Sequence, residues 1–224
     1  MTTLALFDLD HTLLPIDSDY EWGRYLVRRG LVDVAAFEAS NAIFFQQYQV
    51  GTLDAAEYLN FALGTLARHP RAQLDALHAE FMRDVINPAL LPSALALVRR
   101  HREAGHLVVM ATATNRFVTT PIAQAFEVDH LLAAEPEEDA EGNLTGRFLG
   151  TPSMGAGKVR HLNDWFASTG RTLAGFERSY FYSDSHNDLP LLSIVTDPVA
   201  TNPNTPLTAH ATAQGWPILK LFND

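Results

Sequence analysis

The chain opens with a short apolar run, Leu4-Ala5-Leu6-Phe7, that stops at two carboxylates two residues apart, Asp8 and Asp10. Positions i and i+2 of an extended chain point to the same side. Two acids at the mouth of a buried strand repel each other unless a cation offsets them, and a divalent metal would do so. Taken alone, the pattern fits a strand-ending turn equally well, because aspartate is common where chains bend. The rest of the sequence has to decide between the two.

Further along, the periodicity changes twice. Ser18 and Glu21 have capping-box spacing, and Trp22, Tyr25 and Leu26 follow at helical spacing up to Gly30. Phe44, Phe45 and Tyr48 are helically spaced. Thr52 reads as a cap for a helix carrying Leu53, Ala56, Leu59 and Leu63, with Gly64 as its stop. Leu74, Leu77, His78, Phe81, Met82 and Val85 form one apolar stripe. Residues 17–90 therefore read as an all-helical block. Beyond Pro92, a helix through Leu95, Val98 and His101 leads into alternating strands and helices. Leu107–Ala111 is a strand, and Arg116–Phe126 is a helix with Pro121 in or near its first turn. Leu131–Ala134 is a short strand, the acidic run Glu135–Glu141 a solvated loop, and Gly142–Phe148 a hairpin around Gly-Asn. Gly157–Phe166 is a helix, Ser179–Ser183 a strand, Asn187–Val195 a short helix and Val199–Thr201 a strand.

Such alternation implies a parallel sheet covered on both faces. The expected fold is α/β: a doubly wound, Rossmann-like parallel sheet built from residues 1–16 and 91–224. A helical cap, residues 17–90, is inserted after the first strand. The cap would lie over the carboxyl ends of the strands, where open α/β sheets bind ligands.

Composition narrows the chemistry. With 224 residues, 47% of them hydrophobic, the chain can bury a sizeable core. Its 16 basic and 26 acidic residues leave a net charge of −10, and no basic run is present. This argues against a nucleic-acid partner. The lack of cysteine removes thiolate catalysis, a disulfide framework and cysteine-type zinc sites. No basic segment followed by a long apolar one stands at the N-terminus, and no apolar run approaches the ~20 residues of a membrane span. The expectation is a cytoplasmic protein without a membrane partner, its oligomeric state open.

Four places carry a polar residue just after an apolar strand or at a helix start. They are Asp8 and Asp10, Thr112 after Val108–Ala111, Lys158 after Gly155-Ala156-Gly157, and Asp184 and Asp188 in Ser183-Asp184-Ser185-His186-Asn187-Asp188. In a doubly wound sheet all four converge at one edge. Singly, each has an ordinary structural reading: a solvated lysine, a threonine cap, an acid favoured by a helix N-terminus.

As an ordered set, Asp8-Leu9-Asp10-His11-Thr12, Thr112, Lys158 and Asp184–Asp188 resemble the four motifs of the haloacid dehalogenase superfamily. The helical insertion, the Gly142–Phe148 hairpin and the glycine-rich approach to Lys158 are similar to its phosphoserine-phosphatase-like branch. The resemblance spans about residues 5–192 and implies a magnesium-dependent phosphomonoesterase acting on a small phosphorylated metabolite. Phosphoryl transfer needs a nucleophile, neutralisation of the phosphoryl oxygens and a proton for the leaving oxygen. Asp8 suits the nucleophile, forming an aspartyl-phosphate, and Asp10 the general acid and later base. The resemblance implies that the carboxylates of Asp8 and Asp184 and the main-chain carbonyl of Asp10 hold Mg2+. Asp188 would act on the metal's waters, while Thr112, Lys158 and Asn187 contact phosphate. His11 and His186 read as pocket or surface residues. Dehalogenases and cation-pumping ATPases of the superfamily lack an aspartate at the position of Asp10, which favours fast hydrolysis of the intermediate.

Asp17, nine residues beyond Asp8, occupies the position where phosphoserine phosphatases resemble one another in a glutamate that binds the substrate amine. Their cap arginine for the substrate carboxylate has no counterpart in Phe44–Gly51. The expected substrate is therefore an amine-bearing phosphomonoester, phosphoserine-like or, lacking the carboxylate, histidinol-phosphate-like. The cap aromatics Tyr20, Trp22, Phe44, Phe45, Tyr48, Tyr58 and Phe61 either build the cap's own core or stack on an imidazole. A phosphotransferase sharing the aspartyl-phosphate is the second reading, and a catalytically silent relative the third.

Overall fold

The computed structural model describes residues 2–222. The opening apolar run forms β1 (Thr3–Phe7), followed by helices α1 (Ser18–Arg28), α2 (Val34–Gln49), α3 (Ala55–Leu66), α4 (Arg71–Phe81), α5 (Asn87–Ala89) and α6 (Pro92–Glu103). Then come β2 (Leu107–Asn115), α7 (Arg116–Ala125), β3 (His130–Glu138), β4 (Leu144–Leu149), α8 (Ala156–Thr169) and β5 (Arg178–Ser183). The chain closes with α9 (Leu189–Leu192), β6 (Asp197–Thr201), α10 (Thr205–Gln214) and β7 (Ile218–Leu219). A π-helical turn, Met82–Ile86, joins α4 to α5. The strands form one sheet in the order β4-β3-β2-β1-β5-β6-β7, parallel throughout except for the β3–β4 hairpin.

β1 is central and its residues Leu4 to Phe7 are fully buried. The two-residue period of the strand divides them: Ala5 and Phe7 enter one hydrophobic cluster, Leu4 and Leu6 the other. Leu162, Phe166, Leu191 and Leu207 from α8, α9 and α10 complete the second cluster. The first is completed by Leu97 and Val98 of α6, Val118 and Ile122 of α7, and by Trp22, Leu26, Leu63, Leu74 and Phe81 of the helical insertion. The insertion thus shares one apolar interior with a face of the sheet.

Several local expectations are corrected. The cap of α1 is Asp17, not Ser18: Asp17 Oδ1 accepts the N–H groups of Asp19 and Tyr20 at 3.0 and 2.9 Å. Asp54, not Thr52, caps α3 by the same device. Asn115 caps α7 through Val118 N–H, which leaves Pro121 inside the helix rather than in its first turn. The acidic residues Glu135 to Glu138 continue β3 instead of looping away. Arg116, Arg147 and Arg71, distant in sequence, pair with Glu135, Glu137 and Glu138. Charge along an edge hairpin also discourages further strand addition. Gly64 does not stop α3. It is a flat place where the hairpin docks, and a Cβ on Gly146 would come within 3.4 Å of the Gly64 Cα.

Below the sheet centre, buried His101 donates or accepts between His106 Nδ1 (2.8 Å) and the Tyr182 hydroxyl (2.9 Å). Burial, with the neighbouring His106 and Arg100, pushes its pKa from 6.5 down to about 4. Unfolded chains therefore take up the proton first. The stability that neutral His101 contributes is intact above pH 6.5 and is lost as pH falls towards 4. Urea titrations should show about 2 kcal/mol less from this group at pH 5 than at pH 7, a difference that His101→Gln removes.

Candidate active site

The site is assembled where the central strands end. Asp8 is the first residue after β1, and its N–H still donates to the Tyr182 carbonyl of β5 at 2.9 Å. The chain then folds tightly: the Leu9 carbonyl accepts the N–H groups of Thr12, Leu13 and Leu14, with His11 at φ 58°. This turn returns the Thr12 hydroxyl to Asp8 Oδ2 at 2.9 Å and sets it 3.2 Å from Asp184 Oδ1. The Asp184 N–H donates to the same hydroxyl at 3.0 Å. Thr12 therefore ties the end of β1 to the loop after β5.

On the far side of Asp8, the Lys158 ammonium donates to Asp8 Oδ1 and to Asp188 Oδ2, both at 2.7 Å. All three side chains are buried, Lys158 to 3% exposure. Asp188 also accepts from the Ser183 hydroxyl at 2.7 Å. Lys158 stands in the first turn of α8, and the loop before it needs glycine at 157: a Cβ there would sit 1.9 Å from the Pro152 carbonyl oxygen. Burial alone would lower the Lys158 pKa, but Asp188 and Asp8 outweigh it and hold the ammonium charged. Asp184 is pushed well above the usual carboxylate range, first by burial and then by Asp8 and Asp188. The cluster thus carries more negative charge than its one lysine offsets.

β2 runs further than expected, to Asn115, and its pairing with β3 slips between Ala111 and Asn115. Bulges of this kind re-aim side chains at the ends of sheets. The bulged segment carries Thr112, 1% exposed, whose oxygen accepts the Thr114 N–H at 3.1 Å. Thr114 in turn donates its hydroxyl to Asp10 Oδ2 at 2.8 Å, while Ser18 N–H donates to Asp10 Oδ1 at 2.7 Å. Asp10 is so fixed between the first turn of α1 and the end of β2. Burial, then Asp17, push its pKa up to about 8 against the Ser18 hydrogen bonds. A carboxyl raised in this way favours its protonated form, as a general acid requires.

The structure brings Asp8, Thr12, Lys158, Asp184 and Asp188 into one network, with Asp10 and Thr112 in the adjoining loops. The Asn187 side-chain amide is buried and its Nδ2 has no partner, as suits a donor waiting for an anion. Asp17 caps α1 through its Oδ1. His11 is exposed, and His186 lies against Asn204 at 3.2 Å. Three contributors escaped the sequence reading as site residues: Thr12, Thr114 and Ser183. Their hydroxyls resemble ordinary turn residues until partners as far as 172 positions away come into contact. Tyr48 is a fourth, its hydroxyl 2.7 Å from Ser185 Oγ and linking α2 to the loop after β5.

A cavity of about 420 Å³ lies elsewhere, between α4, α7 and β3. Its cations, Arg71 and Arg116, are already paired with acidic neighbours. No single helix among the described residues is long and apolar enough to cross a membrane.

Comparison with known proteins agrees with this geometry. A model of haloacid dehalogenase-like hydrolases matches residues 5–193. A protein named histidinol-phosphatase from Neisseria meningitidis serogroup C (strain 8013) is 43% identical over 98% of this chain and 99% of its own length. Phosphoserine phosphatase SerB1 of Mycobacterium tuberculosis (strain ATCC 25618 / H37Rv) is 31% identical over 97% of this chain and 70% of its own. A crystal structure of a protein of unknown function from Bordetella pertussis Tohama I superposes with a TM-score of 0.94 at 50% identity, covering 99% of this chain and 100% of the other.

Proposed function

This chain belongs to the haloacid dehalogenase-like hydrolase family and is a phosphatase, and we propose on that premise that it hydrolyses a small amine-bearing phosphomonoester through an aspartyl-phosphate on Asp8. The observation that carries the reading is Lys158 clasped between Asp8 and Asp188, with Thr12 joining Asp8 to Asp184. A carboxylate nucleophile, a fixed cation beside it and a separately held acid are the parts that phosphoryl transfer requires.

In the first half-reaction an Asp8 oxygen bonds to phosphorus, the bond from phosphorus to the substrate oxygen breaks, and Asp10 gives that oxygen its proton. In the second, Asp10 takes a proton from the attacking water. The bond from phosphorus to Asp8 breaks and inorganic phosphate leaves. Lys158 faces charge on Asp8 and on the transferring group. Thr112 and Asn187 donate to phosphoryl oxygens.

The donor set fits magnesium. Asp8 and Asp184 put two carboxylate oxygens around one hydroxyl, and Asp184 is raised by uncompensated negative neighbours. Among the described residues no three acidic or imidazole side chains form a ready cage. Both Asp10 side-chain oxygens are engaged, and its main-chain carbonyl would be the third protein ligand, as the family resemblance implies, with Asp188 behind. When bound, Mg2+ would supply charge neutralisation at the phosphate oxygens.

Residues 17–90 act as the specificity cap in this reading. Asp8, Lys158 and Asp188 are buried, so substrate enters when the part of the cap over them moves aside, and the Tyr48–Ser185 contact is one that must open. The substrate we favour is of the histidinol-phosphate type. Residues 44–51 carry no arginine for a substrate carboxylate, and the relative that is 43% identical bears that activity in its name.

Asp10→Asn tests the mechanism. Loss of the proton donor and acceptor is expected to lower kcat by about 10²–10⁴-fold. Intact-mass spectrometry after an acid quench should show phosphoenzyme accumulating. An unchanged rate would remove Asp10 from the mechanism.

A further inference from the structure

Under the cap, just beyond the Asp10 contact at Ser18, α1 carries two buried polar groups without partners, on residues that line the same small cavity. Asp19 is 7% exposed; its Oδ1 accepts from the Asn115 amide at 3.2 Å, but its Oδ2 has no partner. The Tyr58 hydroxyl lies near the Asp19 carboxyl and favours its charged form, against burial and Asp17. Trp22 is 2% exposed and its indole Nε1–H has no acceptor. Both residues line a partly open cavity of about 20 Å³, walled by the rings of Phe37, Tyr58 and Phe61. A buried carboxylate oxygen and a buried N–H without partners each cost about 1–3 kcal/mol, so this arrangement calls for an occupant.

The occupant must donate to Asp19 and accept from Trp22. A primary ammonium donates only, and a carboxylate accepts only. A water does both, and so does a neutral imidazole, through its N–H and its bare nitrogen; of the two, only the imidazole offers a flat ring to the aromatic walls. We infer that Asp19 and Trp22 form a specificity subsite for the imidazole end of the substrate, whose phosphate lies at Asp8. This rests on the phosphatase reading above and narrows it. Asp17, committed to its helix, is not the residue that selects the substrate; Asp19, one face further round the same turn, is. The cavity holds about one water as it stands, so Phe37 and Phe61 must yield as the cap closes on the ring.

The experiment compares histidinol phosphate, ethanolamine phosphate (an amine without imidazole) and p-nitrophenyl phosphate (neither group), for wild type, Asp19→Asn and Trp22→Phe. The readout is the ratio of kcat/KM for histidinol phosphate to that for p-nitrophenyl phosphate. Asp19→Asn is nearly isosteric and should lower this ratio about 10–100-fold, and Trp22→Phe about 5–20-fold, mostly through KM. The ratio for ethanolamine phosphate should move by less than about threefold in both variants, because no imidazole is lost. Ratios for histidinol phosphate that stay within about threefold of wild type would overturn the inference, as would an equal loss with ethanolamine phosphate. A wild-type enzyme active on the other two esters but not on histidinol phosphate also overturns it while leaving the phosphatase reading intact. A wild type inactive on all three with magnesium overturns both.

Discussion

Asp8→Asn is expected to abolish turnover, by at least ~10⁴-fold, while leaving the metal-free protein as stable as wild type or more stable. The rate falls because an amide oxygen is a poor nucleophile towards phosphorus, and no second carboxylate sits where Asp8 does. Stability should move the other way. Asp8 is among the groups that raise Asp184 and Asp188, and it stands in a cluster with only Lys158 as counter-ion. Removing its charge relieves that repulsion, and Asp188 still partners the ammonium. Thermal unfolding in a chelator and a steady-state assay with magnesium test the two halves independently. A lower melting temperature for the variant would show that the Lys158–Asp8 pair holds the fold together, contrary to this account.

Lys158→Ala should damage both properties. The ammonium is 3% exposed and donates to two buried carboxylates, and no other cation contacts either carboxylate among the described residues. Breaking a buried ion pair from one side leaves its partner charged and desolvated, a loss of ~3 kcal/mol, or roughly 6–12 °C in Tm for a chain of this size. The sign with pH follows. Without the lysine, the one cation that holds it down, Asp188 would rise further above its unfolded pKa than burial already puts it. The deficit should be full at pH 8 and shrink as the pH falls towards 5 and the acids protonate. Turnover should fall about 10³-fold with loss of the fixed charge at the transferring group. A deficit independent of pH would mean that lost packing, not charge, is responsible.

The parts of this molecule that were legible in its sequence share one property: their signal is local. Leu4–Phe7 followed by Asp8 and Asp10, the glycines ahead of Lys158, and Ser183–Asp188 each announce themselves within seven residues. A parallel sheet then does the rest by bringing strand ends to one edge. What was not legible depends on partners far along the chain. The bulge that aims Thr112 and Thr114 exists only because β2 outruns β3 in register, and Thr114 meets Asp10 across 104 residues. The acidic run after Ala134 read as a loop because its arginines lie up to 67 positions away. The residue that caps α1 was not legible either. Serine, threonine and aspartate all serve as caps, and the sequence offers Asp17, Ser18 and Asp19 in succession.

The shared interior of sheet and insertion bears on how this protein comes apart. Trp22, Leu26, Leu63, Leu74 and Phe81 lie in one buried cluster with Ala5, Phe7 and Met110, so neither piece closes its own apolar surface. Excising the helices would strip a whole face of the sheet, and the helices alone would expose the residues that face it. Denaturation should therefore proceed as a single cooperative transition, with no folded half surviving the other. Only α2, whose one buried residue is Phe37, stands apart from that unit and is free to fray first.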